Sequence, residues 1–198
     1  MDVTVFDMFD LSDYDYLAIS RGGVYGNVIT ASTSAQGVFK LRNQQVMVKA
    51  ASPIKDVPDL AGKRVATAKG SSMEVNIRKA VPTVNVISFD TSPQALVAMQ
   101  QGKAVAFVNE DQSLARALVE MGSQRKDYRL LPTSISTESL ALGIKKGESG
   151  LKKAVDDTLR ELEANGKAQA LYEQYFGSKS ALKMGARRFK MDSDQITE

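Results

Sequence analysis

Short apolar segments alternate with amphipathic ones between residues 64 and 108, and no other feature constrains the fold of this chain as strongly. The alternation predicts three strands and two intervening helices, at 64–68, 72–80, 84–88, 92–101 and 104–108. Strands joined through helices of this length pair in parallel, with right-handed crossovers. We therefore expect residues 60–135 to form a compact parallel α/β lobe.

The same criteria extend the pattern on both sides of this region. They predict further strands at 3–6, 15–19, 44–50, 128–131 and 139–145, and further helices at 110–121, 149–164 and 167–176. The helix at 149–164 carries an apolar stripe from Leu151 to Leu162 with charged residues opposite, which is typical of a helix that packs on a core. From Met184 onward we expect a basic, solvated tail.

The first strand of the repeat, RVATA, leads directly into a helix through Gly70, Ser71 and Ser72. Such a helix start has backbone N–H groups without intrahelical acceptors, and with two hydroxyl groups beside them it suits an anion such as a carboxylate. Glu74, in the first turn, stands where a capping arrangement would need it. The alternative is an ordinary N-cap, which this segment taken alone favours.

Polar clusters follow the other two strands as well. Asp90–Ser92 follows the second strand and Asn109–Asp111 follows the third. Because the carboxyl ends of parallel strands meet at one sheet edge, all three clusters are expected to lie there, where open α/β sheets gather ligands. Each has a structural alternative. The cluster Asp90–Ser92, followed by Pro93 at the first helical position, favours an N-cap. Glu110 and Asp111 can simply complement a helix dipole.

Composition narrows the function classes. The chain has 198 residues, 43% hydrophobic and 25% charged, which is typical of a soluble globular protein of one domain or two small ones. It has no apolar run of about 18 residues, so no transmembrane helix is expected. The modest net charge of +3 does not indicate nucleic-acid binding. The absence of Cys and His excludes Cys–His catalysis, zinc fingers and His-based metal sites, and we expect no cofactor.

Three motifs occur in order along residues 44–177. They are DLAGKRVATAKGSS, then QALVAMQQGKAVAFVNED, then GIKKGESG followed by ANGKAQALYEQYFG. In this order and spacing they resemble the periplasmic solute-binding proteins of family 3, which serve ABC importers of polar amino acids, and within that family the glutamate/aspartate type. Each motif alone is weak, and the last is the most distinctive.

The resemblance implies an α/β fold of the type II periplasmic-binding-protein kind, with one complete parallel α/β lobe and a partial second lobe. In family terms, the resemblance divides the chain into a partial first lobe or rearranged N-terminal segment at 1–50, the second lobe at 51–138, a hinge strand with helices returning to the first lobe at 139–177, and a basic tail at 178–198.

The resemblance also implies a non-enzymatic periplasmic protein that binds a polar amino acid and delivers it to an ABC permease in the membrane. The hydroxyl loop would bind the ligand carboxylate, and the acid after the third strand would bind the α-ammonium group. The family usually has Asp at that place, here held by Glu110, with Asp111 directly after it. The ligand-binding residues expected in this way are Gly70, Ser71, Ser72, Thr91, Glu110 and Asp111.

The N-terminal region departs from the family pattern. Residues 1–20 contain no basic residue and are not a signal peptide. Residues 1–43 lack the features that open the first lobe, and neither Arg21 nor Arg42 stands where an arginine would clamp the ligand's α-carboxylate. The helices after residue 149 would then have an incompletely covered apolar stripe, so we expect a dimer or a complementing first-lobe fragment.

Two other function classes stay open. An enzyme on the same scaffold, similar to cyclohexadienyl dehydratase, would need an acid or base poised in a cleft, for which Glu110 is the candidate. A ligand-sensing domain would have the same pocket but be joined to a helix-turn-helix or a membrane segment, neither of which these residues contain. A flavodoxin-like nucleotide binder is disfavoured because no phosphate loop follows the first strand.

Overall fold

The structure is a computed structural model that describes residues 4–5, 14–16, 40–140, 142–145, 149–187 and 190. The chain divides into two compact units. One is the continuous segment Arg42–Thr137, and the other combines Met1–Leu41 with Glu138–Glu198.

The strands are β1 Thr4–Val5, β2 Tyr14–Tyr16, β3 Lys40–Lys49, β4 Arg64–Ala68, β5 Asn85–Phe89, β6 Ala106–Glu110, β7 Tyr128–Leu130, β8 Ser136–Leu140 and β9 Leu142–Lys145. The α-helices are α1 Ser72–Ala80, α2 Ser92–Gln100, α3 Asp111–Glu120, α4 Ser149–Ala164 and α5 Lys167–Tyr175, and short 3₁₀ helices span Val57–Leu60 and Gly122–Asp127.

The main sheet belongs to the unit Arg42–Thr137 and runs in the order β5-β4-β6-β3-β7. β4 pairs in parallel with β5 and β6, with Val65 opposite Val86 and Ala106. β3 runs antiparallel to both β6 and β7. The strands of this path that lie within residues 60–135 therefore all run in one direction, and the predicted parallel α/β lobe is confirmed.

Both faces of this sheet are buried. Successive residues of a strand point to opposite faces, and the two faces carry separate apolar clusters. The first cluster packs α1 against Val46, Val65 and Val108. The second packs α2 and α3 against Met47, Ala66 and Phe107. A central sheet covered in this way leaves only its edges and strand ends for a ligand.

Several predicted strands have other bounds in the structure, and two of these differences concern the candidate site and the link between the two units. The third strand of the repeat is β6, which starts two residues later than predicted because its parallel ladder with β4 begins at Ala106. Its antiparallel ladder with β3 continues to Glu110, so pairing with a distant segment keeps Asn109 and Glu110 in the strand. The strand predicted at 139–145 is divided between β8 and β9, and Ala141 lies outside the described residues.

The continuous unit begins at Arg42, earlier than the predicted lobe boundary at residue 51. The reason is that β3, which the predicted boundary assigned to the N-terminal segment, pairs with β6 from Gln44 to Val48. Whether this unit is the second lobe of a two-lobed binding protein stays a prediction. Arg21 lies outside the described residues.

The other unit contains a three-stranded antiparallel sheet in the order β1-β9-β2. Its helices α4 and α5 follow each other across Gly166, whose positive φ of 75° is a conformation that favours glycine. Leu159 of α4 and Ala168 of α5 are buried against each other. Further along α5, Leu171 and Tyr175 are 40% and 58% exposed, so the apolar face of α5 is incompletely covered.

The expectation of a solvated basic tail is wrong for Arg187. Its guanidinium group makes two hydrogen bonds to the carboxylate of Glu163 in α4, one of them with a distance of 2.9 Å between Nη1 and Oε2. The two side chains are only 4% and 6% exposed. This buried ion pair connects the segment after α5 to the last turn of α4.

Candidate functional site

The predicted site residues follow three neighbouring parallel strands. Gly70, Ser71 and Ser72 come after β4, Thr91 comes after β5, and Glu110 ends β6 with Asp111 next to it. β4 lies between β5 and β6 in the sheet. The hydroxyl loop therefore stands between Thr91 and Glu110 at the carboxyl edge of the sheet, which is the usual ligand-binding edge of an open α/β sheet.

Polar groups of the loop before α1 are already hydrogen-bonded within the loop and to the first turn of α1. Ser71 is the N-cap, and its Oγ accepts a hydrogen bond from the Glu74 N–H at 3.4 Å while donating to the Ala68 carbonyl at 2.6 Å. The carboxylate of Glu74 accepts from the Gly70 N–H at 3.0 Å. The predicted N-cap is confirmed, but Glu74 accepts from the Gly70 N–H and not from that of Ser71, as a capping box would require. The expectation of an unpaired N–H group is wrong for Gly70, because Glu74 supplies an internal anion there.

Glu74 accepts hydrogen bonds from three groups, two of which lie outside its own helix. Partial burial acts to raise its pKa, but hydrogen bonds from the Ser88 hydroxyl, the Gly70 N–H and the Arg78 guanidinium outweigh burial, and the pKa of Glu74 lies below its ordinary value of 4.5. Ser88 belongs to β5 and Arg78 to α1. A charged Glu74 thus links the hydroxyl loop to β5 and makes one further bond within α1.

Stability of the continuous unit is expected to fall in acid through this carboxylate. Because the folded pKa is lowered, the contribution of Glu74 is present above pH 4.5 and is lost as pH decreases below that value. Glu74→Gln should lower the melting temperature at pH 7 and reduce its loss between pH 7 and pH 4, as measured by circular dichroism. Glu120→Gln, at the exposed end of α3, is the control, and equal pH profiles for Glu74→Gln and the unmodified chain would contradict the assignment.

Ser72 belongs to a polar network that sequence reasoning missed. Gln44 Nε2 donates to Ser72 Oγ at 2.8 Å. Asn76 Nδ2 donates to Gln44 Oε1 and to Ser136 Oγ, both at 3.2 Å. Gln44 is fully buried and Asn76 nearly so. Ser71 and Ser72 are each half-buried, and their contact with a ligand stays a prediction.

Two features of the sequence could have predicted this network. Gln44 opens the segment QQVMV, and a polar residue in a buried strand implies a hydrogen-bond partner. Asn76 lies four residues after Ser72, so the two share a helix face. Recognising Gln44 as buried, however, requires knowing that β3 pairs on both sides.

The capping role that the sequence favoured for the cluster Asp90–Ser92 is held by Thr91. Its Oγ1 accepts from the Gln94 N–H at 3.4 Å, and the Gln94 side chain accepts from the Thr91 N–H at 3.1 Å. These two bonds form a capping box with proline in the first turn of α2. Contact of Thr91 with a ligand stays a prediction.

The two candidate acids differ in local geometry. Asp111 opens α3, and its Oδ1 accepts from the Gln112 N–H at 2.7 Å. Glu110 is the N-cap residue of α3 but makes no side-chain cap bond to it. The buried side chain of Asn109 instead accepts from the Glu110 N–H at 2.9 Å. The side chain of Asp111 is thus bonded at the helix start, whereas that of Glu110 makes no cap bond to α3.

The described part of the chain offers no sign of a metal site, since no three His, Cys, Asp or Glu side chains there lie close enough together to hold an ion. Within the same residues, no helix combines the length and the apolar character needed to cross a bilayer.

The model of the "Bacterial extracellular solute-binding proteins, family 3" matches residues 32–178. Among curated relatives, the ABC transporter glutamine-binding protein GlnH of Bacillus subtilis is 29% identical over 139 residues, which are 70% of this chain and 50% of that protein. The L-glutamate/L-aspartate-binding protein of Pseudomonas aeruginosa is 30% identical over 147 residues, 71% of this chain and 47% of that protein. The chain spans about half the length of these relatives.

Solved structures with the same fold include ligand complexes. An ancestral arginine-binding protein bound to glutamine matches with a TM-score of 0.58 and 27% identity, covering 71% of this chain and 62% of that one. The ligand-binding core of GluR0 from Nostoc punctiforme, in complex with L-glutamate, matches with a TM-score of 0.56 and 25% identity, covering 69% and 61%.

Proposed function

The chain belongs to family 3 of the bacterial extracellular solute-binding proteins, and from this premise we propose that it binds a polar amino acid for delivery to an ABC permease. The relatives support this proposal, since their names describe binding of glutamine or of glutamate and aspartate. The observation that carries it is the common position of Gly70–Ser72, Thr91 and Glu110 at the ends of three neighbouring parallel strands.

In the proposed site the ligand's carboxylate lies at the start of α1. The Ser72 hydroxyl donates to it, and the N–H groups of the first helical turn and the helix dipole favour the negative charge. Thr91, which follows β5, lies next to the ligand's carboxylate in this site. Gly70 and Ser71 act through the loop conformation, because Glu74 and Ala68 already engage the Gly70 N–H and the Ser71 hydroxyl.

The ligand's α-ammonium group is assigned to Glu110. A carboxylate that ends a strand beside a helix start can accept charge-assisted hydrogen bonds from an ammonium group, and such bonds are roughly twice as strong as neutral ones. Asp111 is the alternative, but its Oδ1 is engaged by the Gln112 N–H. In this site, a group that binds an anion follows β4 and a group that binds a cation ends β6. This arrangement matches the carboxylate and ammonium groups that all amino acids share.

We further propose a non-enzymatic transport cycle in the periplasm. Ligand capture would be followed by closure that excludes water and by presentation to the membrane permease. In this scheme residues 51–138 act as the second lobe and 139–177 as the hinge strand and returning helices. The exposed Leu171 and Tyr175 of α5 are consistent with a dimer or a complementing first-lobe fragment.

Calorimetric titration with L-glutamine, L-glutamate and L-arginine tests the proposal, and the amino acid recovered after incubation should be chemically unchanged. Binding of at least one probe with unchanged recovery is the expected result. Conversion of the amino acid would favour the enzyme alternative. Failure of all three to bind would contradict the assignment of this site to these amino acids.

Ser72→Ala is expected to weaken binding by about 1.5–3 kcal/mol, because it removes one hydrogen bond to a charged group. Calorimetry on the folded variant measures the loss. Ser113→Ala is the matched control, since Ser113 is an exposed residue of α3, and its affinity should equal that of the unmodified chain. An unchanged affinity for Ser72→Ala would remove this hydroxyl from the site.

A further inference from the structure

We propose that the amino edge of the main sheet is a docking surface for the anionic headgroups of a phospholipid bilayer. The surface, which we call the basic edge, is formed by five cations of the continuous unit: Lys49, Arg64, Lys103, Arg125 and Lys126. It lies at the opposite ends of the strands from Gly70–Ser72, Thr91 and Glu110. The inference therefore goes beyond the proposed function, and it can hold or fail without it.

The pairing register brings Lys49 of β3 and Arg64 of β4 to the same level of the sheet. Each is directly bonded in sequence to a valine that stands opposite Ala106 of β6. One step nearer the amino edge, the two cations therefore flank Val105, whose N–H donates to the Arg64 carbonyl at 2.9 Å. Since only the chain of β6 separates them, their backbones lie about 10 Å apart.

The other three cations reach the same edge through the connections between elements. The valine beside each strand cation faces the α1 cluster, so Lys49 and Arg64 face the side of α2 and α3. These two helices begin at the carboxyl edge and run back to the amino edge. There Lys103 stands in the turn between α2 and β6, and Arg125 and Lys126 belong to the 3₁₀ helix between α3 and β7. All five residues are exposed.

The acidic residues of the continuous unit do not neutralise the basic edge. Four of them lie toward the carboxyl edge, namely Glu74, Asp90, Glu110 and Asp111. Asp56 and Asp59 belong to the 3₁₀ helix Val57–Leu60 and its cap, whose apolar residues pack in the α1 cluster. Glu120 and Asp127 remain near the five cations, which leaves an excess of positive charge. Within the described part of the chain, none of the five cations forms an ion pair.

Exposed apolar side chains lie among these cations. Val105, between Lys49 and Arg64, is 37% exposed, and so is Val119 in the last turn of α3. Near an anionic bilayer each Lys or Arg raises partitioning by about fivefold, and apolar side chains add to it by reaching the boundary between headgroups and acyl chains. An acidic protein surface would need only the cations. The combination of both kinds of side chain favours a bilayer as the partner.

Cosedimentation of the full chain with lipid vesicles tests the proposal. Vesicles of equal parts phosphatidylglycerol and phosphatidylcholine should bind the chain in about 50 mM salt, and about 300 mM salt should weaken binding at least about fivefold through screening. Vesicles of phosphatidylcholine alone should bind at least about tenfold more weakly. The triple variant Lys49→Gln, Arg64→Gln and Lys103→Gln should lower partitioning into the anionic vesicles at least about tenfold. Val105→Thr, which keeps the branched shape, should lower it about twofold.

The matched control removes three charges from the other unit, with Lys167→Gln, Lys179→Gln and Lys190→Gln, all at exposed residues, and should stay within about twofold of the unmodified chain. Equal losses in the two triple variants would mean that only net charge matters, and they overturn the proposal. So does a basic-edge variant that loses thermal stability but binds vesicles normally, because its cations would then serve the helix ends. Binding of poly-L-glutamate without binding of anionic vesicles replaces the bilayer by an acidic protein surface. Calorimetry with amino acids is independent of all these outcomes.

Discussion

Replacing Arg187 by Met is expected to lower the stability of the unit that contains α4 by about 3–5 kcal/mol. Arg187 and Glu163 form a bidentate pair whose side chains are 4% and 6% exposed. Removing one partner leaves the other charge buried without its counter-charge, and the cost of that desolvation is far larger than the net value of the pair. Hydrogen exchange at the amides of Leu159 and Leu162 reports the loss within α4.

Two controls separate this effect from the loss of an arginine as such. Arg160→Met breaks an exposed pair with Asp157, whose side chains are 40% and 49% exposed, and should cost at most about 1 kcal/mol. Glu163→Leu combined with Arg187→Met removes both buried charges and should recover most of the stability lost in the single variant. A double variant as unstable as Arg187→Met alone would show that packing of the side chains, not the buried charge, holds the tail.

Glu110→Gln is expected to weaken amino-acid binding by about 2–5 kcal/mol, the second large effect. In the proposed site this carboxylate neutralises the ligand's ammonium group, and Gln offers an acceptor of similar shape without the charge. The ammonium group would then lose its counter-charge in a partly desolvated position. Calorimetry with L-glutamine and L-glutamate measures the change.

Asp111→Asn is the matched comparison for Glu110→Gln. Its carboxylate engages the start of α3, so its removal should affect stability through the helix dipole and change ligand affinity by less than about 1 kcal/mol. The reverse pattern, with Asp111→Asn abolishing binding and Glu110→Gln binding normally, would move the ammonium site by one residue. Loss of stability without loss of affinity in both variants would assign both acids to the helix start.

Local signals were enough to predict the elements around the candidate site. β4, α1 and α4 have the predicted bounds, because each is marked within its own sequence: β-prone RVATA between glycines, the Ser71 cap, and the stripe of α4 ending before Asn165. The Thr91 cap was likewise readable from its own four residues. These features depend on contacts between residues close in sequence.

What the sequence could not reveal depends on distant partners. The strand character of Asn109 and Glu110 comes from pairing with β3, a segment more than sixty residues away. The burial of Gln44, and with it the polar network around Ser72, depends on the place of β3 inside the sheet. The sequence around Arg187 predicted a solvated charge, whereas its guanidinium group is bonded to Glu163. Periodicity and propensity carry no information on such pairings.

The second unit is built from two separate segments of the chain, and this affects the order in which its strands can pair during synthesis. The segment Arg42–Thr137 is continuous and can complete its sheet as soon as it has left the ribosome. The other unit needs β9, which pairs with β1 and β2, so those N-terminal strands must wait unpaired until the chain beyond Leu142 has been translated. Domains generally fold as units during synthesis at about 5–20 residues per second. The early strands therefore stay unpaired for several seconds while the rest of the chain is made.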